Sequence, residues 1–180
     1  MDLSKADVWA MTDSWQHRYH GQSYFLLFGP AALRNEAFTR FWDALPNLYR
    51  KDSVIRYGEI ALSQCLLVAG LRVSAAWDYF SVLEHALIPS AVSEPGGLES
   101  EAVTRARSAR SIRKGLNATH ELWLELVDAG FPFIKCELLQ KNPSCTSGVG
   151  AWHSIVQQVD AGLYGDILSH LKHAVRDTAP

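Results

Sequence analysis

The sequence predicts a helix-rich α/β fold with a small mixed sheet. Three observations carry that prediction. Two short apolar runs near the start, residues 7–12 (DVWAMT) and 22–28 (QSYFLLF), have strand length and end in breaker pairs, Asp13-Ser14 and Gly29-Pro30. Most of the remaining chain repeats its apolar residues at helical spacing between capping residues. A chain of 180 residues, 48% hydrophobic and 20% charged, is also large enough to bury a core without disulfide or metal staples.

The elements follow in order. Residues 15–21 (WQHRYHG) are aromatic and polar and read as a loop between the two strands. Pro30 suits the first turn of a helix, where its missing N–H costs nothing. Leu33, Ala37, Phe38, Phe41 and Leu45 continue that helix until Pro46. Ser53 reads as the cap of a helix reaching Ala69, with Gly70 as its stop. Residues 71–75 (LRVSA) alternate as a half-buried strand, and Asp78 caps a helix through Leu87. Residues 90–97 (SAVSEPGG) have the composition of a flexible connector inside one domain spanning 1–180.

Residues 102–114 read as a basic helix. Asn117 or Thr119 caps a helix through Ala129, stopped by Gly130. Residues 131–139 (FPFIKCELL) are apolar around a single Lys, and 142–150 read as loop. Trp152, Ile155, Val156, Val159, Leu163, Ile167, Leu171 and Val175 form one apolar stripe, which predicts a long final helix bent at Gly162 or Gly165. That makes three or four strands and about six helices, with no internal repeat.

Charge and cysteine usage narrow the function classes. A net charge of −2 supplies no field for nucleic acid. Cys65, Cys136 and Cys145 form no C-x-x-C pair, and the chain opens without a basic segment followed by an apolar run. Both features predict reduced thiols and a cytoplasmic protein. No stretch is apolar enough to span a bilayer. The cations Arg105, Arg107, Arg110, Arg113 and Lys114 would meet phospholipid headgroups or a diphosphate-linked acceptor, or simply form a solvated helix face, the commoner use of a charge run.

The familiar cofactor signatures are absent: there is no P-loop, no G-x-G-x-x-G, no H-E-x-x-H, no G-x-S-x-G and no D-x-D. His17 and His20, and His170 and His173, stand three apart, but no third ligand matches their spacing, so no metal centre is assigned. His20, Gln22 and Ser23 precede an apolar strand, where polar side chains either line a cleft or satisfy local backbone groups. Glu59 lies near the start of an otherwise apolar helix, where it is either a proton acceptor facing a cleft or a solvated first-turn carboxylate. Lys135 interrupts an apolar run and needs a partner, which would be a bound phosphate or carboxylate, or a structural ion pair.

The blocks DVWAMTDSWQHRYHGQSYFLLFGPAAL, AFTRFWDAL, VIRYGEIALSQCLLVAGLRV and NATHELWLELVDAGFPFIKCELLQKNP together resemble the rhamnan synthesis protein F family. These are glycosyltransferases of bacterial cell-surface polysaccharide assembly. The resemblance covers most of residues 6–143, with a gap near 76–116. It implies a sugar-nucleotide fold of the GT-A type, of which this chain matches the C-terminal, acceptor-side part. The nucleotide-binding half would lie upstream of the matched region. His20, Gln22 and Ser23 fall on the family's H-x-Q-S block, with Gly21 where Leu is usual. Glu59 falls on its acidic position, with Gly58 as an extra residue after Tyr57. Thr119, His120, Lys135, Asn142 and Pro143 fall on the last block.

The resemblance therefore implies Glu59 as the catalytic base or acceptor-positioning group. Asp13, His20, Gln22, Ser23, His120, Lys135 and Asn142 would bind substrate, with Lys135 offsetting phosphate charge. The implied substrates are a sugar nucleotide and a lipid-linked saccharide acceptor, handled at the inner face of the membrane. No cofactor is expected within this chain, and Mg or Mn would enter only with a complete active site. The rival reading is a non-catalytic domain that docks a saccharide, a partner chain or a second copy through an open sheet edge.

Overall fold

In the computed structural model the described residues are 1–87, 104 and 115–176. The expected connector at 90–97 and the cationic run at 105–114 lie outside them. The architecture is mixed α/β, with many helices around a small mixed sheet of four strands.

Strand β1 (Val8–Ser14) is the hub, and β2 (His20–Gly21), β3 (Leu26–Phe28) and β4 (Val73–Trp77) all pair with it. The β1–β3 ladder is antiparallel, with Val8 opposite Phe28, so the two early apolar runs are neighbours as expected. The β1–β4 ladder is parallel, with Val8 opposite Val73 and Thr12 opposite Trp77. A parallel pair needs a long crossover. Here that crossover is α1 (Pro30–Leu33), α2 (Glu36–Ala44), α3 (Lys51–Ser53), a π-helix (Val54–Ile60) and α4 (Ala61–Val68). Arg72 fixes the register at its far end. Its guanidinium meets both Asp7 carboxylate oxygens, at 3.0 and 3.1 Å, and donates to the Ser4 carbonyl.

Helices cover β1 on both faces. Val8 packs with Ala32, Leu62, Leu66 and Leu71. Met11, on the opposite face by the two-residue period, packs with Tyr79, Val82, Leu83, Leu122 and Leu126. These last residues belong to α5 (Tyr79–Leu87), to α7 (Trp123–Asp128) and to the break between α7 and α6 (Ala118–Glu121). A third cluster joins Trp123 to Leu138, Trp152 and Val156, from α8 (Cys136–Lys141) and α9 (Trp152–Val159).

Several boundaries differ from the sequence reading, each for a physical reason. The predicted loop 15–21 contributes β2, and the predicted strand 22–28 keeps only Leu26–Phe28. Helix 30–45 breaks at Asn35, whose side chain accepts from the Ala37 N–H and starts a second helix. Ser53 caps nothing, because the chain is already helical from Lys51. The strand expected at 71–75 lies two residues later. The final helix breaks at Asp160 rather than at a glycine. Asp160 turns extended and its Oδ1 accepts from the N–H groups of Gly162 and Leu163, starting α10 (Ala161–Arg176) afresh. Asp78 does cap α5, accepting from the Ser81 N–H and hydroxyl.

Candidate functional site

Between its pairings with β3 and β2, β1 advances from Ala10 to Asp13, while the returning chain runs from Leu26 back to Gly21. The return carries two extra residues, and such an excursion re-aims side chains beside functional sites. Ser23 and Tyr24 leave the ladder, while the Gln22 N–H still donates to the Thr12 carbonyl and the Phe25 carbonyl accepts from the Met11 N–H. The Thr12 hydroxyl donates to Gln22 Oε1 at 2.5 Å, and the Tyr24 hydroxyl lies 2.5 Å from the same Thr12 oxygen. Thr12 has one proton, already given, so Tyr24 donates in turn. Burial pushes the Tyr24 phenol up to about 12, which keeps it a donor.

Ser23, at the tip of this excursion, meets Glu59. Its N–H and its hydroxyl both donate to Glu59 Oε1, at 3.1 and 2.5 Å. The second oxygen, Oε2, lies 4.0 Å from His20 Nε2. His20 Nδ1 is 2.8 Å from the Arg18 carbonyl, which only accepts, so Nδ1 bears the proton and Nε2 is turned toward the carboxylate. Helix α4 holds the approach, with Ser63 accepting from the Gly21 N–H and Gln64 donating to the Tyr19 carbonyl. Gly21 has no room for a side chain, since a Cβ would sit 2.8 Å from the Ala10 Cβ. A leucine cannot stand there without displacing β1.

Glu59 rides on the π-helix. Wide turns of this kind are uncommon and often mark functional positions. Beside it opens a groove of about 680 Å³ lined by Ser23, Tyr24, Phe25, Trp42, Pro46 and Glu59, among others. Trp42, Tyr24 and Phe25 are each nearly half exposed there. The arrangement is a carboxylate with one oxygen anchored and the other facing an imidazole, at the edge of an aromatic cleft.

A second polar group lies close by. Lys51 Nζ grips Glu137 through both carboxylate oxygens, at 2.5 and 2.7 Å, which holds the Glu137 carboxyl below its usual range. Burial lowers the Lys135 pKa, and Lys135 feels the charges of Glu137, Lys51 and Glu59. His120 is buried and neither ring nitrogen has a hydrogen-bond partner. Its Nε2 lies 3.9 Å from Glu137 Oε2, within reach of charge but too far for a hydrogen bond. Burial, with Lys135 assisting, pulls the His120 pKa down to about 4, so the ring is neutral near pH 7.

Several of the sequence-predicted residues thus come together: Ser23 and Glu59 line the groove, His20 faces Glu59 from a buried position, Gln22 is buried with its amide on Thr12, and Lys135 and His120 gather around Glu137. Two do not join them. Asp13 points to the other side, where its Oδ1 accepts from the Tyr79 N–H at 2.6 Å and caps α5. Burial raises its pKa to about 6. Asn142 ends α8 in the left-handed region, and its amide clasps the backbone of Thr146 at both atoms. Lys51, Glu137 and Trp42 escaped sequence reasoning. Lys51 and Glu137 are 86 residues apart and carry no local signal. Trp42 sits within an ordinary amphipathic helix. Among the described residues, no group of three or more His, Cys, Asp or Glu is placed to hold a metal ion, and no helix is long and apolar enough to cross a membrane.

Comparison with known proteins gives a distant relationship. The chain is 34% identical over 144 residues to the virulence protein VirA of Vibrio anguillarum strain ATCC 68554 / 775, and equally to that of the species without a named strain. The match covers 77% of this chain and 46% of each relative, so the chain spans about half the length of the curated relatives it matches. No family model and no solved structure matches the chain.

Proposed function

We propose that this chain is the acceptor-side part of a glycosyltransferase of bacterial cell-surface polysaccharide assembly, of the rhamnan or O-antigen type. In this reading the aromatic groove holds the saccharide acceptor. Glu59 takes the proton from the attacking hydroxyl; Ser23 fixes one of its oxygens and the other faces His20. The carrying observation is Glu59 itself, a carboxylate held by two donors on a π-helix at the edge of an aromatic cleft. Aromatic faces suit the apolar faces of sugar rings, and a fixed carboxylate suits their hydroxyls.

The π-helix also supports the resemblance to the rhamnan synthesis protein F family. An extra residue in an α-helix turns every later side chain by about 100°. Widening to π-type hydrogen bonds absorbs it and leaves α4 in phase. Gly58, the extra residue of that resemblance, lies inside the π-helix, and a Cβ there would meet only Val54, at 3.9 Å. The relatives are named for virulence, and that name specifies no reaction.

Leaving-group stabilisation needs a metal held on carboxylates or a cluster of cations. With no D-x-D in the sequence, the chain alone is expected to release little or no nucleoside diphosphate from sugar nucleotides, with Mg²⁺ or Mn²⁺ present, while still binding acceptor. The test measures both on the purified chain, using a sugar-nucleotide panel and rhamnose oligosaccharides. Robust metal-dependent release that disappears in Glu59→Gln would make this chain a complete enzyme and end the acceptor-side reading. Saccharide binding that ignores Glu59→Gln would favour a docking domain that uses another surface.

A further inference from the structure

The His120 ring poses an unsolved accounting problem. A neutral imidazole has one donor and one acceptor, and in a buried site each normally finds a partner. Here both nitrogens lack one, and the Trp123 indole N–H, three residues on, lacks one too. Leaving such groups unpaired in a buried site is costly. The charges around them are arranged about a single carboxylate. Lys51 holds Glu137 through both oxygens, Lys135 feels it across a half-buried site, and His120 Nε2 stands 3.9 Å from it. The remaining charge that Lys135 feels is Glu59, on the groove side. The site opens to solvent at Lys51, whose side chain is 65% exposed.

We propose that Lys51, Lys135 and His120 form a phosphate-binding site that the Glu137 carboxylate fills until a phosphate group of the substrate displaces it. A carboxylate offers two oxygens in one plane. A phosphate offers three or more, enough to keep Lys51 engaged, to give the Lys135 ammonium, unpaired among the described residues, a partner and also to accept from an imidazole N–H. Displacing Glu137 exchanges one anion for another, so Lys51 is not left bare. Lys51 and Glu59 lie on one continuous helical segment, Lys51 through Ile60. The phosphate site is therefore coupled in space to the groove. The proposal deepens the glycosyl-transfer reading, but its test uses no saccharide, so the two can fail separately.

The probes are inorganic pyrophosphate, a nucleoside diphosphate and octyl phosphate, each titrated by calorimetry into the purified chain. Glu137→Gln removes the internal competitor and should tighten pyrophosphate binding about tenfold. Lys51→Met and Lys135→Met should each weaken it about tenfold. The ¹⁵N resonances of the His120 ring should shift on saturation, which a purely structural ion pair would not cause. Whichever probe binds best names the carrier of the phosphate. The proposal is overturned if folded Glu137→Gln, judged by its near-ultraviolet circular dichroism, binds pyrophosphate no more tightly than the parent. It is equally overturned if both lysine variants bind as the parent does, or if no probe binds either the parent or Glu137→Gln. Should Glu137→Gln fail to fold, the lysine variants and the His120 resonances decide alone.

Discussion

The Glu59 carboxylate and the His120 imidazole belong to neighbouring parts of one site, yet they are held in opposite ways. Glu59 has one oxygen saturated by Ser23 and the other turned to His20, so its direction is fixed before any ligand arrives. The His120 ring is more deeply buried and neither of its nitrogens has a hydrogen bond. The carboxylate is preorganised, and the imidazole waits for a partner. A carboxylate at a groove edge is oriented by donors that replace the water it lost. A neutral ring can be buried without donors, at the cost of its acid form.

Substitution at Glu59 gives the largest expected effect. Glu59→Gln removes the charge that Ser23 and His20 organise, and should weaken saccharide binding by about ten- to a hundredfold, the loss expected for hydrogen bonds to a charged group. Glu59→Asp keeps the charge but shortens the reach, and should lose nearly as much. Calorimetric titration with rhamnose oligosaccharides measures both. An equal loss in Ser23→Ala would shift the weight of the site from the carboxylate to its anchor.

His120 predicts a pH effect. Its folded pKa, about 4, lies below the ordinary 6.5, so the unfolded chain takes up the proton first. Stability should therefore fall as pH drops from about 6.5 toward 4, by roughly 1–3 kcal/mol. His120→Gln should flatten that limb in urea denaturation. Asp13 works in the other direction over nearly the same window. Its folded pKa of about 6 lies above the ordinary 3.8, so its ionisation costs stability as pH rises from about 4 to 6. Asp13→Asn should abolish that cost, again roughly 1–3 kcal/mol, while the amide oxygen still accepts from the Tyr79 N–H. The two single variants should thus tilt the pH profile in opposite senses.

The smallest expected effect is at Gly58. Deleting it should let the π-helix relax to α-helix with Glu59 and α4 kept in phase, changing the melting temperature by only a few degrees. Deleting Leu62, one turn later and buried, should unfold the chain. If both deletions are equally harmful, the π-helix is not an absorbed extra residue.

What the sequence made readable follows the range of the forces involved. The presence of strand β1, the cap at Asp78 and the stop at Gly130, where φ is +82°, rest on local pattern and match the structure, although β1 runs through Asp13 and Ser14, the expected breaker pair, because β2 pairs with them. The partition of 22–28 was not readable. The apolar run favoured a strand, but hydrogen bonds from Ser23 to Glu59, 36 residues away, go with residues 23 and 24 lifting off the sheet. The break at Asp160 has a local signal, since an aspartate can cap the helix that follows it, and that cap rather than Gly162 or Gly165 sets the break. The grouping of His20, Ser23 and Glu59 came from ordered motif blocks rather than from spacing. The Lys51–Glu137 pair lies on two segments that only the folded chain brings together.

The most direct test of the central claim is the Ser23 amide in a ¹H–¹⁵N spectrum, because that N–H donates to the carboxylate that would receive the acceptor's proton. Titration with a rhamnose oligosaccharide should move the Ser23 resonance among the first and furthest, together with the Trp42 indole N–H across the groove. Both shifts should vanish in Glu59→Gln. Saccharide binding that leaves Ser23 in place and instead moves the exposed Trp15 and Phe80 surface would contradict the account.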